Sequence, residues 1–119
     1  MDVLVSAAGG GSFFAKLQVK TSQRKVTFWP IGKAYQRWRG EDCYYVFVRR
    51  LAAEGRFEVL LERASVVAEE VDRWEERWRQ RGNAEFTPCW FLNEPRVPPD
   101  PARHDRLVRQ WESFGRNVQ

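Results

Sequence analysis

Histidine is nearly absent from this chain: His104 is the only one. With a single imidazole, neither a Ser/His/Asp nor a Cys/His catalytic set can be assembled. Cysteine is almost as scarce. Cys43 and Cys89 lie far apart, with no CxxC pair and no histidine nearby, which argues against a zinc site and for two reduced thiols. No GxxxxGK[ST] segment occurs, and Gly9-Gly10-Gly11 lacks the lysine and helix of a phosphate loop. Kinase and P-loop chemistry are thereby excluded. No apolar run approaches the roughly 18 residues of a membrane helix, and the first residues lack the basic-then-apolar pattern of a secretory signal. The cytoplasm is the expected compartment. Acidic residues are missing only locally: none occurs between Lys16 and Arg39.

What is present suits one domain. The 119 residues are long enough to bury a core. Hydrophobic residues make up 43%, with six tryptophans and eight phenylalanines, a globular rather than a disordered composition. The net charge of +4 is uneven. Residues 1–50 carry nine Lys/Arg against three acids, whereas 51–119 carry eleven against thirteen. The positive excess lies in the first half, which favours a polyanionic partner: DNA, or RNA.

That half is organised around residues 13–20, FFAKLQVK. They read as a strand with period-2 faces: Ala15, Leu17 and Val19 on one, Lys16, Gln18 and Lys20 on the other. Upstream, Asp2-Val3-Leu4-Val5 is a short apolar strand, and the glycines at 9–11 join the two as a hairpin. Asp2 then lies beside Gln18 and Lys20. Such a polar face has two explanations, a solvated sheet surface or a cation-and-phosphate site. In the second, Asp2 and the Gln18 oxygen hold a hard cation such as Mg2+. The cation polarises a phosphate and lowers the pKa of a water. Lys20 orients that water or neutralises developing charge.

Asp, a hairpin and then Gln18-Val19-Lys20 within LQVKTS resemble the core of the PD-(D/E)XK nuclease superfamily. The nearest likeness is to small bacterial domains, related to restriction and recombination endonucleases, in which Gln replaces the acid. The resemblance covers about the first two-thirds of the chain, through strands near 44–48 and 57–61 and a helix opening at Ser65. It implies an α/β (α+β) fold: a restriction-endonuclease-like central mixed sheet of about four to five strands flanked by helices. The usual N-terminal helix and first strand are lacking, because the chain starts at Met1-Asp2. The resemblance also implies Asp2, Gln18 and Lys20 as catalytic residues. The metal, Mg2+ or Mn2+, would be bound by Asp2, Gln18 and the backbone carbonyl of Val19. Replacing the acid by Gln18 weakens that site, since an amide oxygen is a poorer ligand than a carboxylate.

Thr21, Ser22, Arg24 and Lys25 leave the strand as a polar, basic loop able to contact a phosphate backbone beside Lys16. Residues 26–29 run extended to Pro30. Residues 33–39 form a short helix with Ala34 and Trp38 turned to the core, Tyr35 able to share that face, and Lys33, Gln36, Arg37 and Arg39 outward; Lys33 and Arg37 extend the basic surface. Residues 43–48, CYYVFV, read as a central strand covered on both faces and ended by Arg49-Arg50. Residues 56–62 form another strand nearer an edge.

Ser65 is the expected N-cap of the next helix. Val67, Val71, Trp74 and Trp78 form its apolar face, Glu69, Glu70 and Asp72 a solvated acidic first part, and Gly82-Asn83 its end. Residues 85–93 mix extended and turn character. Residues 94–101 are a stiff proline-rich linker, after which Asp100 as N-cap and Pro101 open a last helix with the stripe Leu107, Val108, Trp111 and Phe114. Arg103, Arg106, Arg109 and Arg116 lie elsewhere on that helix as further phosphate contacts, and His104 is exposed without a partner. The chain therefore divides into a truncated nuclease-like core, 1–93, and a linker plus helix, 94–119, packed on the core or on a homodimer partner. Three functions follow: a metal-dependent endonuclease hydrolysing DNA, an inactive nuclease-like binding module for nucleic acid, or a protein-interaction component of a bacterial defence or toxin-related system.

Overall fold

A computed structural model of the chain describes residues 2–6, 14–24, 26–51, 53, 55–83 and 85–117, with side chains from 15 to 116 within those ranges. It is a small α+β domain. The strands are β1 (Asp2–Ser6), β2 (Phe14–Ser22), β3 (Phe28–Pro30), β4 (Cys43–Leu51), β5 (Arg56–Arg63) and β6 (Cys89–Phe91), and the helices are α1 (Ala64–Gln80) and α2 (Pro101–Asn117). One mixed sheet has the order β1-β2-β4-β5, and β3 and β6 form a separate two-stranded sheet. In the large sheet β2 runs parallel to β4, while β1 is antiparallel to β2 and β5 to β4. The glycine turn at 9–11 lies outside the described residues. No described helix is long and apolar enough to cross a membrane.

The period-2 pattern of β4 builds two cores at once. Tyr45 and Phe47 join Leu60, the α1 residues Val67 and Val71, and Trp29 and Trp90 from the small sheet. Phe47 stacks on Trp90 at 4.1 Å between centroids, and Trp29 sits 5.2 Å from Phe47. On the opposite face Val46 packs with Ala15, Leu17 and Leu61 beneath Phe114 of α2. A fully buried side chain of this size contributes about 2–3 kcal/mol, so the aromatic face carries most of the cohesion.

Helix α2 straddles the β5 edge. Leu107 enters the first core and Phe114 the second. Gln110 Nε2 donates to the Leu61 carbonyl at 2.6 Å. The helix opens as its sequence dictates: Asp100 Oδ1 accepts the amides of Ala102 (3.1 Å) and Arg103 (3.3 Å), with Pro101 in the first position. Helix α2 thus packs on the chain's own core.

Several details differ from expectation. Helix α1 is capped by Arg63 with no side-chain bond, and Ser65 lies inside its first turn. Strand β5 passes directly into the helix at the buried Ala64, which leaves no loop residue to act as a cap. Strand β4 does not stop at Arg49 but continues to Leu51. The 33–39 segment makes only a 3-10 turn, Lys33–Gln36. Three-residue periodicity puts Tyr35 and Trp38 on the core side and leaves Ala34 exposed. Gly82 ends α1 with φ 88°, the left-handed conformation that glycine adopts freely.

Candidate active site

Strand β2 positions the candidate residues by alternation. Ala15 and Leu17 are buried under Phe114, which turns Lys16, Gln18 and Lys20 to the other face. Antiparallel pairing sets Asp2 of β1 directly across the ladder from Gln18. Parallel pairing sets Lys16, Gln18 and Lys20 beside Cys43, Tyr45 and Phe47 of β4. The polar row therefore lies at the margin of the aromatic core rather than on a separate solvated surface. Lys16 is exposed, whereas Gln18, Val19 and Lys20 are half-buried.

The donors this register offers are all oxygens: one carboxylate at Asp2, the Gln18 amide oxygen and the Val19 carbonyl. That chemistry suits a hard cation, though one carboxylate makes a weak site. Among the described residues no group of three or more His, Cys, Asp or Glu side chains could hold a metal ion. Both thiols are free, and burial raises their pKa, so neither is a ready nucleophile.

Beyond β2 the chain turns at once. Ser22 Oγ accepts the Arg24 amide at 3.2 Å, and Val26 donates to the Arg24 carbonyl at 2.9 Å. Thr21 and Arg24 are exposed there; Lys25 lies outside the described residues. Lys33 and Arg37 are exposed but belong to another region. Lys33 lines a cleft of about 560 Å³ with Glu75 and Arg79 of α1 and residues 85–88, none of them from β2. The basic surface is thus split, with Lys16, Lys20 and Arg24 around β2, Lys33 beside α1, and Arg37 at the end of the Lys33–Gln36 turn.

Several ionic groups pair across elements. Arg49 bonds Glu58 Oε1 through Nε (2.9 Å) and Nη2 (2.8 Å) and the Val26 carbonyl through Nη1 (2.8 Å). The same Glu58 oxygen lies 2.9 Å from His104 Nε2, so His104 does have a partner. Burial raises the Glu58 pKa, but His104 and Arg49 together outweigh it and leave the carboxyl below its ordinary value. Glu70, expected in a solvated cluster, is buried against Arg103 at 2.8 Å; its burial pushes the carboxyl up despite that cation. Arg106 meets Glu62 at 3.0 Å. Tyr35 donates to Asp72 at 2.8 Å, and burial followed by that bond takes its pKa to about 12. Part of this was visible in the spacing. Glu70 falls on the apolar stripe, three after Val67 and four before Trp74, and Glu58 and Glu62 alternate with Leu60. Arg103 accordingly ties α2 to α1 and β6, and Arg106 and His104 tie it to β5.

Compared with protein-family models, characterised proteins and solved structures, the chain shows no match.

Proposed function

We propose that the chain is a metal-dependent endonuclease of the PD-(D/E)XK type, with a restriction-endonuclease-like core, that hydrolyses DNA phosphodiester bonds. The observation that carries this reading is the register that pairs Asp2 with Gln18, with Lys20 two residues on along the same face of β2. The parallel β2–β4 pair and the cation-rich, acid-free stretch leaving β2 support it.

Asp2, Gln18 and the Val19 carbonyl would hold Mg2+ or Mn2+, which when bound supplies Lewis-acid polarisation of the phosphate and a more acidic water. Lys20, half-buried, orients the attacking water and neutralises charge that builds on the phosphate. Lys16, Ser22 and Arg24 grip the flanking backbone, with Lys25 in the same loop.

The test is calorimetric titration of Mg2+ and Mn2+ into the wild type, Asp2→Ala and Lys20→Ala, followed by incubation of each with plasmid and single-stranded DNA. Metal binding should vanish in Asp2→Ala. Cutting should fall at least about a hundredfold in either variant. A second reading rests on Gln18: with a neutral amide in place of an acid, the domain binds nucleic acid without cutting it. Salt-sensitive binding with no cleavage under either metal selects that reading.

A further inference from the structure

Apart from β2, the exposed surface carries a row of aromatic rings. In the small sheet Trp29 and Trp90 pair and turn inward, while the register partners Phe28 and Phe91 turn outward. Phe28 is 45% exposed and lies 5.9 Å from Phe91 between centroids. Phe91 meets Trp74 of α1 edge-on at 5.2 Å. One turn further along α1, where the helix outruns the core, Trp78 is 41% exposed. Its indole is nevertheless pinned, because Nε1 donates to the Glu85 carbonyl. Trp74, Trp78, Phe86 and Phe91 line a cleft of about 620 Å³.

The cations at this cleft differ from those of α2. Arg77 is tied to Glu94 at 3.1 Å. Arg81 and Arg96 also line the cleft, both exposed, and no ion pair holds either among the described residues. Arg96 is the one described non-glycine residue with positive φ, 68°. A left-handed backbone is unfavourable for an arginine, and here it sets a guanidinium beside the rings.

We propose that this cleft and the aromatic row are a stacking site for an unpaired stretch of nucleic acid, with bases lying on Trp78, Trp74 and Phe28 and phosphates held by Arg81 and Arg96. The chemistry selects that ligand. Aromatic faces accept the π-face of any base, and fixed rings lose little freedom on binding. Three arginines line the cleft against two carboxylates, Glu85 and Glu94, and Arg77 takes up Glu94; the positive balance favours an anion, which an apolar protein partner does not supply. A duplex hides its base faces and cannot use the rings. The site is separate from the β2 motif and stands whether or not that motif cuts.

The experiment is fluorescence anisotropy with labelled oligo(dT) and oligo(U) of about twelve nucleotides, without divalent metal and with EDTA, against a duplex of equal length. Single strands should bind at low salt and quench tryptophan emission. Trp78→Ala should weaken them about tenfold, Phe28→Ala less, and Trp78→Leu, which stays apolar but cannot stack, nearly as much as Trp78→Ala. Arg96→Gly, which keeps the backbone conformation, should lower the salt slope by about one. Both aromatic positions are exposed, and thermal melts verify that the variants fold. Absence of single-strand binding, or binding unchanged by Trp78→Ala and Phe28→Ala, overturns the proposal. So does a concentration-dependent dimer that Trp78→Ala abolishes, since a second copy would then occupy the rings. Binding in EDTA does not draw on the metal site, so its failure is read separately from the metal titration and plasmid cleavage that test the nuclease reading.

Discussion

The flank that holds α2 and the flank around β2 use the same residue types in opposite ways. Under α2, Arg103 and Arg106 meet the buried carboxylates Glu70 and Glu62, and the buried Arg49 meets the half-buried Glu58. Around β2, Lys16 and Arg24 are exposed, in a stretch that contains no acid. The first arrangement spends its charge on the fold, and the second keeps it for a partner. Buried pairs are often no better than apolar packing, yet removing one member is costly because the other stays buried alone. Exposed cations have almost no such effect on stability.

The largest effect on stability should come from breaking the buried side. Arg103→Ala strands Glu70 and removes the donors to the Phe91 (2.9 Å) and Leu92 (3.2 Å) carbonyls and the guanidinium 5.1 Å from the Trp90 ring. It should cost about 3 kcal/mol in urea denaturation. Asp100→Ala, which removes the cap of α2, should cost about 1 kcal/mol by the same measurement. Acid titration sharpens the contrast through Glu58. Its folded pKa is lowered, so its contribution is present above the unfolded value near pH 4.3 and is lost as pH falls through the folded value. Glu58→Gln should therefore flatten the acid limb of a stability–pH curve below about pH 4.5. The smallest stability change belongs to the open side: Lys16→Ala should stay within about 0.5 kcal/mol of wild type while reducing the salt slope of DNA binding by about one. If Arg103→Ala proved as mild as Lys16→Ala, the distinction between the two flanks would fail.

Local pattern made much of this legible. The faces of β2, the double coverage of β4, the stripe of α1 and the Asp100-Pro101 start of α2 follow from short-range spacing and capping. The pairing of Asp2 with Gln18 follows from expecting a hairpin. What sequence could not show depends on distant partners. Glu70 looked like one of several acids on a charged helix because Arg103 lies a whole linker away. His104 looked solitary because Glu58 belongs to another strand. The 3-10 turn at 33–36 arises because Tyr35 reaches Asp72, and that contact overrides the four-residue spacing of Ala34 and Trp38. The outward aromatic row needed the β3–β6 pairing, between segments some 60 positions apart, before it could be seen.

Because α2 lies along β5 and takes the Leu61 carbonyl, the large sheet has one end partly covered and, among the described strands, the other ended by β1. Growth by strand addition needs two receptive ends on each unit. Where α2 covers it, β5 offers no place for an added strand, which leaves β1 as the described edge able to pair with another chain.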